Sequence, residues 1–392
     1  MPSATKRLSQ KSKYFYNRGA SIKHPDIVFT IDRESHRSQR RSLSHAFSAR
    51  ALREAEGTIQ RHARLFAHQI SQRGSPGTGG VDMSAAFTWL TFDIIGDLTF
   101  GESFGSVANW EPDTYVALIL EFIKHLTIIQ AAKRLGISEG ILSFLIPGDL
   151  KDSMASLVVS SWATSTSAGD FFAHILRDGS FNRDHLAEQA KILLLDGSET
   201  TATFLAGVTY LLLKSPTALA KLQCEVRSSF ASLDEIRGDS LNQLPYLRAV
   251  IEEGLRLFPP VPLGLPRTCP GAMIDGWYVP SGTEVSVDNF VMSHDEKFFP
   301  EPDEFRPERW LEGQTGNNKE ASRPFSIGPR ACLGVDLAYL EASLILATMV
   351  YSFDWELVDK SLHWFEEVEL RSFWKKPQLF IRYHPRGSFH GV

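Results

Sequence analysis

The sequence predicts a mainly α fold with small β-sheets, on three observations. Apolar residues recur at helical steps along several long stretches, as with Leu43, Ala46, Phe47 and Ala51. Strand-like alternation is confined to short pieces, and neither an internal repeat nor a linker-like tract divides the 392 residues. Hard stops such as Pro259-Pro260-Val261-Pro262 close the helical stretches. In order, residues 1–30 are weakly patterned and read as an N-terminal remnant, and residues 31–392 read as one domain. Helical patterns cover 32–73, 82–100, 112–135, 170–176, 184–214, 216–230 and 247–257. Asp82 is placed to cap the second of these and Gly101 to end it, and the run 74–80 is a loop. Residues 276–287 alternate as a small β element, and 368–370 with 378–382 are expected to form another hairpin.

Composition excludes several classes. Apolar content of 43% and charged content of 22% are ordinary for a globular chain. A net charge of −5 leaves no footprint for nucleic acid. Cys224, Cys269 and Cys332 form no CxxC pair and no zinc spacing, which points to a reducing compartment. No stretch has the length of apolar residues expected of a membrane span, and the start lacks the apolar core of a secretory signal.

The chemistry concentrates in Phe325-Ser326-Ile327-Gly328-Pro329-Arg330-Ala331-Cys332-Leu333-Gly334. One cysteine sits behind a glycine-punctuated turn and ahead of a helical pattern, where a helix start and Arg330 favour thiolate over thiol. Backbone N–H groups of the turn are placed to donate to the sulfur. Read alone, Cys332 would be a small buried hydrophobe. Upstream, Leu193-Leu194-Leu195-Asp196-Gly197-Ser198-Glu199-Thr200-Thr201 puts glycine and hydroxyls inside an apolar helix, where back-bonding weakens the ladder. Glu253 and Arg256 share a helix face at a spacing of three, with Pro307-Glu308-Arg309-Trp310 following.

The run of five fixed positions, Phe325, Gly328, Arg330, Cys332 and Gly334, resembles the haem-binding loop of the cytochrome P450 monooxygenases. The order of the other motifs along the chain matches that family, and residues 91–101 and 195–203 resemble its filamentous-fungal members of secondary metabolism. The resemblance implies haem b with Cys332 as axial thiolate and Phe325 within the binding loop. It implies Thr200 and Glu199 as a proton-delivering alcohol–acid pair, and His36, Arg40, Arg267 and Arg330 as anchors for the haem propionates. The Glu253–Arg256 pair, completed by Arg309, would clamp the segment before the cysteine loop. The implied activity inserts one oxygen atom of O2 into an apolar small molecule, by hydroxylation or epoxidation, with electrons from an NADPH-cytochrome P450 reductase. Substrate would pack near 193–196 and 261–263.

The chain departs from the family in two places. Asp196 stands where a small apolar residue is usual, so either proton delivery is altered or the helix is turned slightly from the haem. The membrane anchor and first sheet of the family are expected to be missing, and 146–171 is short and Ser-rich. Relatives sit on the endoplasmic reticulum membrane; without an anchor the protein would be cytoplasmic. A haem-binding protein of the same fold without turnover is the alternative reading.

Overall fold

The apolar helices predicted from the sequence pack against one another at the centre of the molecule. In the computed structural model the described residues are 10–16, 24–114, 116–118, 121, 181–313, 315–371 and 373–387. The expected helix at 170–176, most of that at 112–135 and the Ser-rich 146–171 stretch lie outside them. Helix α1 spans Arg33–Ser44, α2 Ala49–Arg73, α3 Met83–Phe100 and α4 Arg183–Lys214. Helix α5 spans Pro216–Ser229, α6 Pro245–Leu257 and α7 Val335–Ser352.

Helix α3 is buried on nearly all faces, in keeping with apolar side chains distributed all round it, and even its Thr88, Thr91, Asp93 and Thr99 are buried. The Asp82 side chain accepts from Ser84 N–H at its start, and Gly101 ends it at φ 74, a left-handed value that glycine adopts without steric cost. Helix α3 lies along α4, where a Cβ on Gly197 would stand 3.0 Å from Ile95, so glycine sets that approach. The predicted single helix over 32–73 is two helices. Ser48 sits extended at ψ 155 and its hydroxyl accepts from Ala51 N–H, which starts a new helix instead of continuing the old one.

Helix α7 is long and apolar enough to cross a membrane, the only such helix among the described residues. Its packing against α2, α4, α5 and α6 accounts for that composition. At its centre Glu341 is 2% exposed, and burial pushes its carboxyl up to about 8, opposed by a hydrogen bond with Thr201 of α4.

Among the described residues, three small antiparallel sheets flank the helices. Strands β1 (Gln10–Lys11), β3 (Arg267–Ile274) and β4 (Trp277–Val285) pair in the order β1-β3-β4, so the weakly patterned start of the chain contributes a strand. Strand β8 (Phe380–Pro385) lies between β2 (Val81–Asp82) and β5 (Phe353–Leu357). The hairpin expected between 368–370 and 378–382 does not form. Instead β6 (Glu369–Leu370) pairs antiparallel with β7 (Trp374–Lys375). Ile381 and Tyr383 of β8 alternate into the core opposite Leu357 and Trp355, and that burial fixes the distant register.

Because the folded protein holds the Glu341 proton that an unfolded chain releases, its stabilising effect is complete below about pH 4.5 and lost as pH rises through about 8. The Glu341→Gln variant is expected to keep its denaturation midpoint between pH 6 and 9, while the wild-type midpoint falls. Urea titrations across that range measure the difference.

Candidate active site

The cysteine loop is closed by its own backbone. Cys332 N–H donates to the Phe325 carbonyl at 2.9 Å, and Ala331 N–H donates to Gly328 at 3.0 Å. Gly328 takes φ 76, where a side chain would be strained whatever the space around it. Gly334 sits at φ −91, and a Cβ there would only touch Phe47 at 3.4 Å. The Gly334 backbone amide lies on the side of the sulfur where it favours the charged form. The expected thiolate is not favoured by the protein alone: burial pushes the thiol up, the Asp196 carboxylate adds to this, and Gly334 with Arg40 opposes it. Arg330 plays no part in that balance, because its guanidinium donates to the Thr30 and Ile31 carbonyls, each at 2.9 Å.

Cys332 is exposed, and yet the surrounding protein desolvates its sulfur. Both hold for a side chain that faces a cleft instead of open surface. Helix α4 presents a matching stripe. Between Ile192 and Thr201 only Leu193, Asp196, Gly197 and Thr200 are partly accessible, and Leu193, Asp196 and Thr200 follow one another at three- and four-residue steps. The influence of Asp196 on the Cys332 thiol places this stripe near the sulfur. Exposed apolar side chains also gather outside α4. Leu263 and Leu265 stand on a segment joined to that of Val287 and Val291 by Phe290 N–H to the Pro262 carbonyl. Exposed Ile327 is on the cysteine loop, whose approach is joined to the same segment where Arg323 N–H donates to Asn289.

The rim is basic. Lys11 of β1 pairs with Arg267 of β3, an arrangement in which like charges on one sheet face repel. Burial, Arg330 and Arg267 lower Lys11 to about 7. Burial, Arg330, Lys11 and Arg40 lower His36 to about 3, which keeps its ring neutral. Arg330 falls to about 10 through burial and Arg267. Arg40 reaches the loop itself, donating to the Ala331 carbonyl at 2.7 Å, and Arg267 donates to Tyr16 at 3.1 Å. The sequence-derived anchors His36, Arg40, Arg267 and Arg330 therefore converge, and Lys11 joins them unforeseen. Its only sequence signal was the basic and aromatic run Lys11-Ser12-Lys13-Tyr14-Phe15-Tyr16, whose meaning depends on a pairing across more than half the chain.

Thr200 lies on the stripe, its hydroxyl donating to the Asp196 backbone carbonyl at 2.6 Å. Glu199 does not share that face. It is 5% exposed and forms a buried ion pair with Lys376, which also donates to Thr203 at 3.1 Å. Lys376 follows β7 and was not foreseen.

The clamp forms as expected and gains a member. Glu253 Oε1 accepts from Arg256 at 2.9 Å and Arg309 at 3.2 Å, with all three side chains buried. Arg256 also donates to the Ser293 and Pro302 carbonyls at 2.8 and 2.7 Å. Trp310 donates its indole N–H to Glu253 Oε2 at 2.8 Å.

A family model described as Cytochrome P450 matches residues 2–381. The cytochrome P450 monooxygenase BOT4 of Botryotinia fuckeliana is 34% identical over 98% of this chain and 74% of its own length. BOA3 of Botryotinia fuckeliana strain B05.10 is 38% identical over 90% of this chain and 73% of its own. The monooxygenase atr2 of Stereocaulon alpinum is 39% identical over the same shares, 90% and 73%. The chain belongs to the cytochrome P450 family and is an enzyme of the monooxygenase class.

That family carries haem on a cysteine thiolate, and the residues present fit the group. A soft sulfur donor faces the cleft, exposed apolar side chains suit a porphyrin face, and mutually repelling cations at the rim suit two carboxylates.

Two variant sets probe the site's framework. Trp310→Phe removes one of the two donors to Glu253 Oε2, leaving Arg256 Nε, and is expected to lower stability by about 1–3 kcal/mol, read by chemical denaturation. Lys376→Met strands a buried carboxylate and should cost about 3–5 kcal/mol, most of which the double variant with Glu199→Gln should recover. A double-mutant cycle measures that coupling.

Proposed function

We propose that this enzyme binds haem b through Cys332 and inserts one oxygen atom of O2 into an apolar small molecule, by hydroxylation or epoxidation. The observation that carries the reading is the sulfur facing a cleft opposite the accessible stripe of α4, with cations gathered at the rim. Haem supplies the dioxygen chemistry when bound, and the protein's residues orient, desolvate and deliver protons.

Arg40, Arg267, Arg330 and Lys11 would hold the propionates as cations, with His36 as a neutral hydrogen-bond donor at the outset. Phe325 flanks the loop, its ring 5.2 Å from that of Tyr339, and the carbonyl of Phe325 holds the Cys332 amide. The Gly334 backbone amide, which favours the charged sulfur, would moderate its electron donation. Thr200 presents its hydroxyl to the cleft, and Leu193 with Leu263 offers an apolar surface to substrate.

Electrons would come from an NADPH-cytochrome P450 reductase. The names of BOT4, BOA3 and atr2, all fungal monooxygenases, support a role in fungal secondary metabolism. Family relationship supports association with the endoplasmic reticulum membrane.

Purified protein reduced under carbon monoxide is expected to show the red-shifted Soret band of thiolate-ligated iron. Cys332→Ala should abolish it, whereas Cys224→Ala should leave it in place. Retention of the band in Cys332→Ala would refute the ligand assignment.

A further inference from the structure

Two of the rim cations are held by one short stretch of backbone, residues 25–31, which precedes α1 and has no regular structure of its own. Lys11 donates to the Ile27 carbonyl at 3.2 Å and also to that of Val28. Arg330 donates to the Thr30 and Ile31 carbonyls, each at 2.9 Å. The direction in which these carbonyls point therefore sets where both cationic groups stand.

Two buried glutamines fix the stretch from different helices. Gln39 of α1 is 6% exposed and Gln189 of α4 is 0% exposed, so water does not compete for their amides. Ile27 N–H donates to Gln189 Oε1 at 3.2 Å, across 162 positions of sequence. Gln189 Nε2 donates to Gln39 Oε1 at 3.1 Å. Gln39 Nε2 in turn donates to the Pro25 carbonyl at 3.2 Å and to the Thr30 hydroxyl oxygen at 3.0 Å. The Thr30 O–H donates to the Asp26 carbonyl at 2.7 Å. Both amide orientations follow, because this chain of bonds begins at a backbone N–H, which only donates, and ends on backbone carbonyls, which only accept. The other Gln189 N–H meets His185 Nε2 at 3.0 Å. Burial and the neighbouring His24 ring lower His185, which favours the neutral ring that can accept there.

A matched pair of buried amides could be a piece of satisfied core and nothing more. Its place in the fold says otherwise. Gln39 follows His36 by three residues and adjoins Arg40 on α1. Phe29 of the held stretch packs 6.1 Å from the Tyr16 ring, and the Tyr16 hydroxyl accepts from Arg267 at 3.1 Å. Lys11, Arg330, Arg267 and Arg40 are thus each tied to this stretch, to a ring packed on it, or to α1.

We propose that Gln189 and Gln39 are positioning residues for the haem propionates: joined amide to amide, they hold residues 25–31 and so aim Lys11 and Arg330 at the two carboxylates. This rests on the haem-binding reading above. The glutamines act through the carbonyls at 27, 28, 30 and 31 and not as ligands of the anion. An amide pair suits that task, since it grips the backbone without adding charge to a rim whose cations already repel one another.

Esterifying the propionates removes their charge, so haem b and haem b dimethyl ester separate anchoring from every other contribution to binding. Full-chain protein prepared without haem is titrated with each, and release of each from the loaded protein to apomyoglobin is timed. Wild type should prefer haem by about a hundredfold, the worth of a few charge-assisted hydrogen bonds. Gln189→Met and Gln39→Met keep most of the side-chain volume and remove the amides. Both should cut that preference by about tenfold, by weakening haem and hastening its release while the ester is unaffected. Thr30→Val removes the hydroxyl link with little change of shape and should act in the same direction; it decides the question if a methionine variant does not fold. Tyr210→Phe removes a hydrogen bond to the Leu362 carbonyl elsewhere on α4 and should keep the wild-type preference.

Wild-type preference in the glutamine variants overturns the inference and leaves the haem reading intact. Equal losses for haem and ester also overturn it, because a pair that only stabilises the core weakens both alike. A wild type that takes up haem without preferring it to the ester overturns the assignment of the rim, and the inference with it. A wild type that takes up no haem overturns the haem-binding reading itself.

Discussion

The carboxylate of Glu253 is the constraint on which the site depends. Two guanidiniums, one indole and the Arg306 backbone N–H converge on its two oxygens, all in the buried interior. Through Arg256 the same cluster captures carbonyls at 293, 302 and 304, and through Arg309 it reaches Glu301 and Asn317. The irregular segment between β4 and the cysteine loop has little regular structure of its own, so these bonds stand in for a ladder. A lone ion pair would not justify burying so much charge. A carboxylate with every lone pair engaged does, because its removal would leave both arginines without a counter-ion.

The second organising feature is repulsive. Lys11, Arg267, Arg330 and Arg40 approach one another at the rim, and the effect is visible as lowered basicity of Lys11 and Arg330. Their backbone partners, the carbonyls at 27, 28, 30, 31 and 331, fix the side chains without neutralising them. Positive potential is thereby stored for an anion, and the neutral ring of His36 is kept from adding to it.

Much of this was legible in the sequence because its signals are local. The cap at Asp82, the stop at Gly101, the spacing of Glu253 and Arg256, and the turn around Cys332 all act within a few residues. What escaped notice is non-local. Lys376 meets Glu199 across 177 positions, and β8 finds β2 and β5 through burial, not through a turn signal. The polarity of the sulfur's surroundings was misjudged for the same reason. Nearness of Arg330 in sequence suggested a thiolate, whereas its guanidinium faces Thr30 and Ile31, and Arg40 from α1 takes the place beside the loop. Asp196 stood out as a departure, but only the exposure pattern of α4 shows which way it faces.

Strand β8 has a consequence for how the chain is made. It joins Val81–Asp82 to Phe353–Leu357, while Arg330 ties the cysteine loop to residues 30 and 31 and Arg40 of α1 donates to residue 331 of the loop. During synthesis on the ribosome, helices α2 and α3 emerge long before the partners that cover them. Closure of such distant pairings is slow, and exposed apolar helices invite association with other chains. The pairings of β8 with β2 and β5 can therefore close only after β8 itself has been made, and until then the earlier helices lack part of their cover.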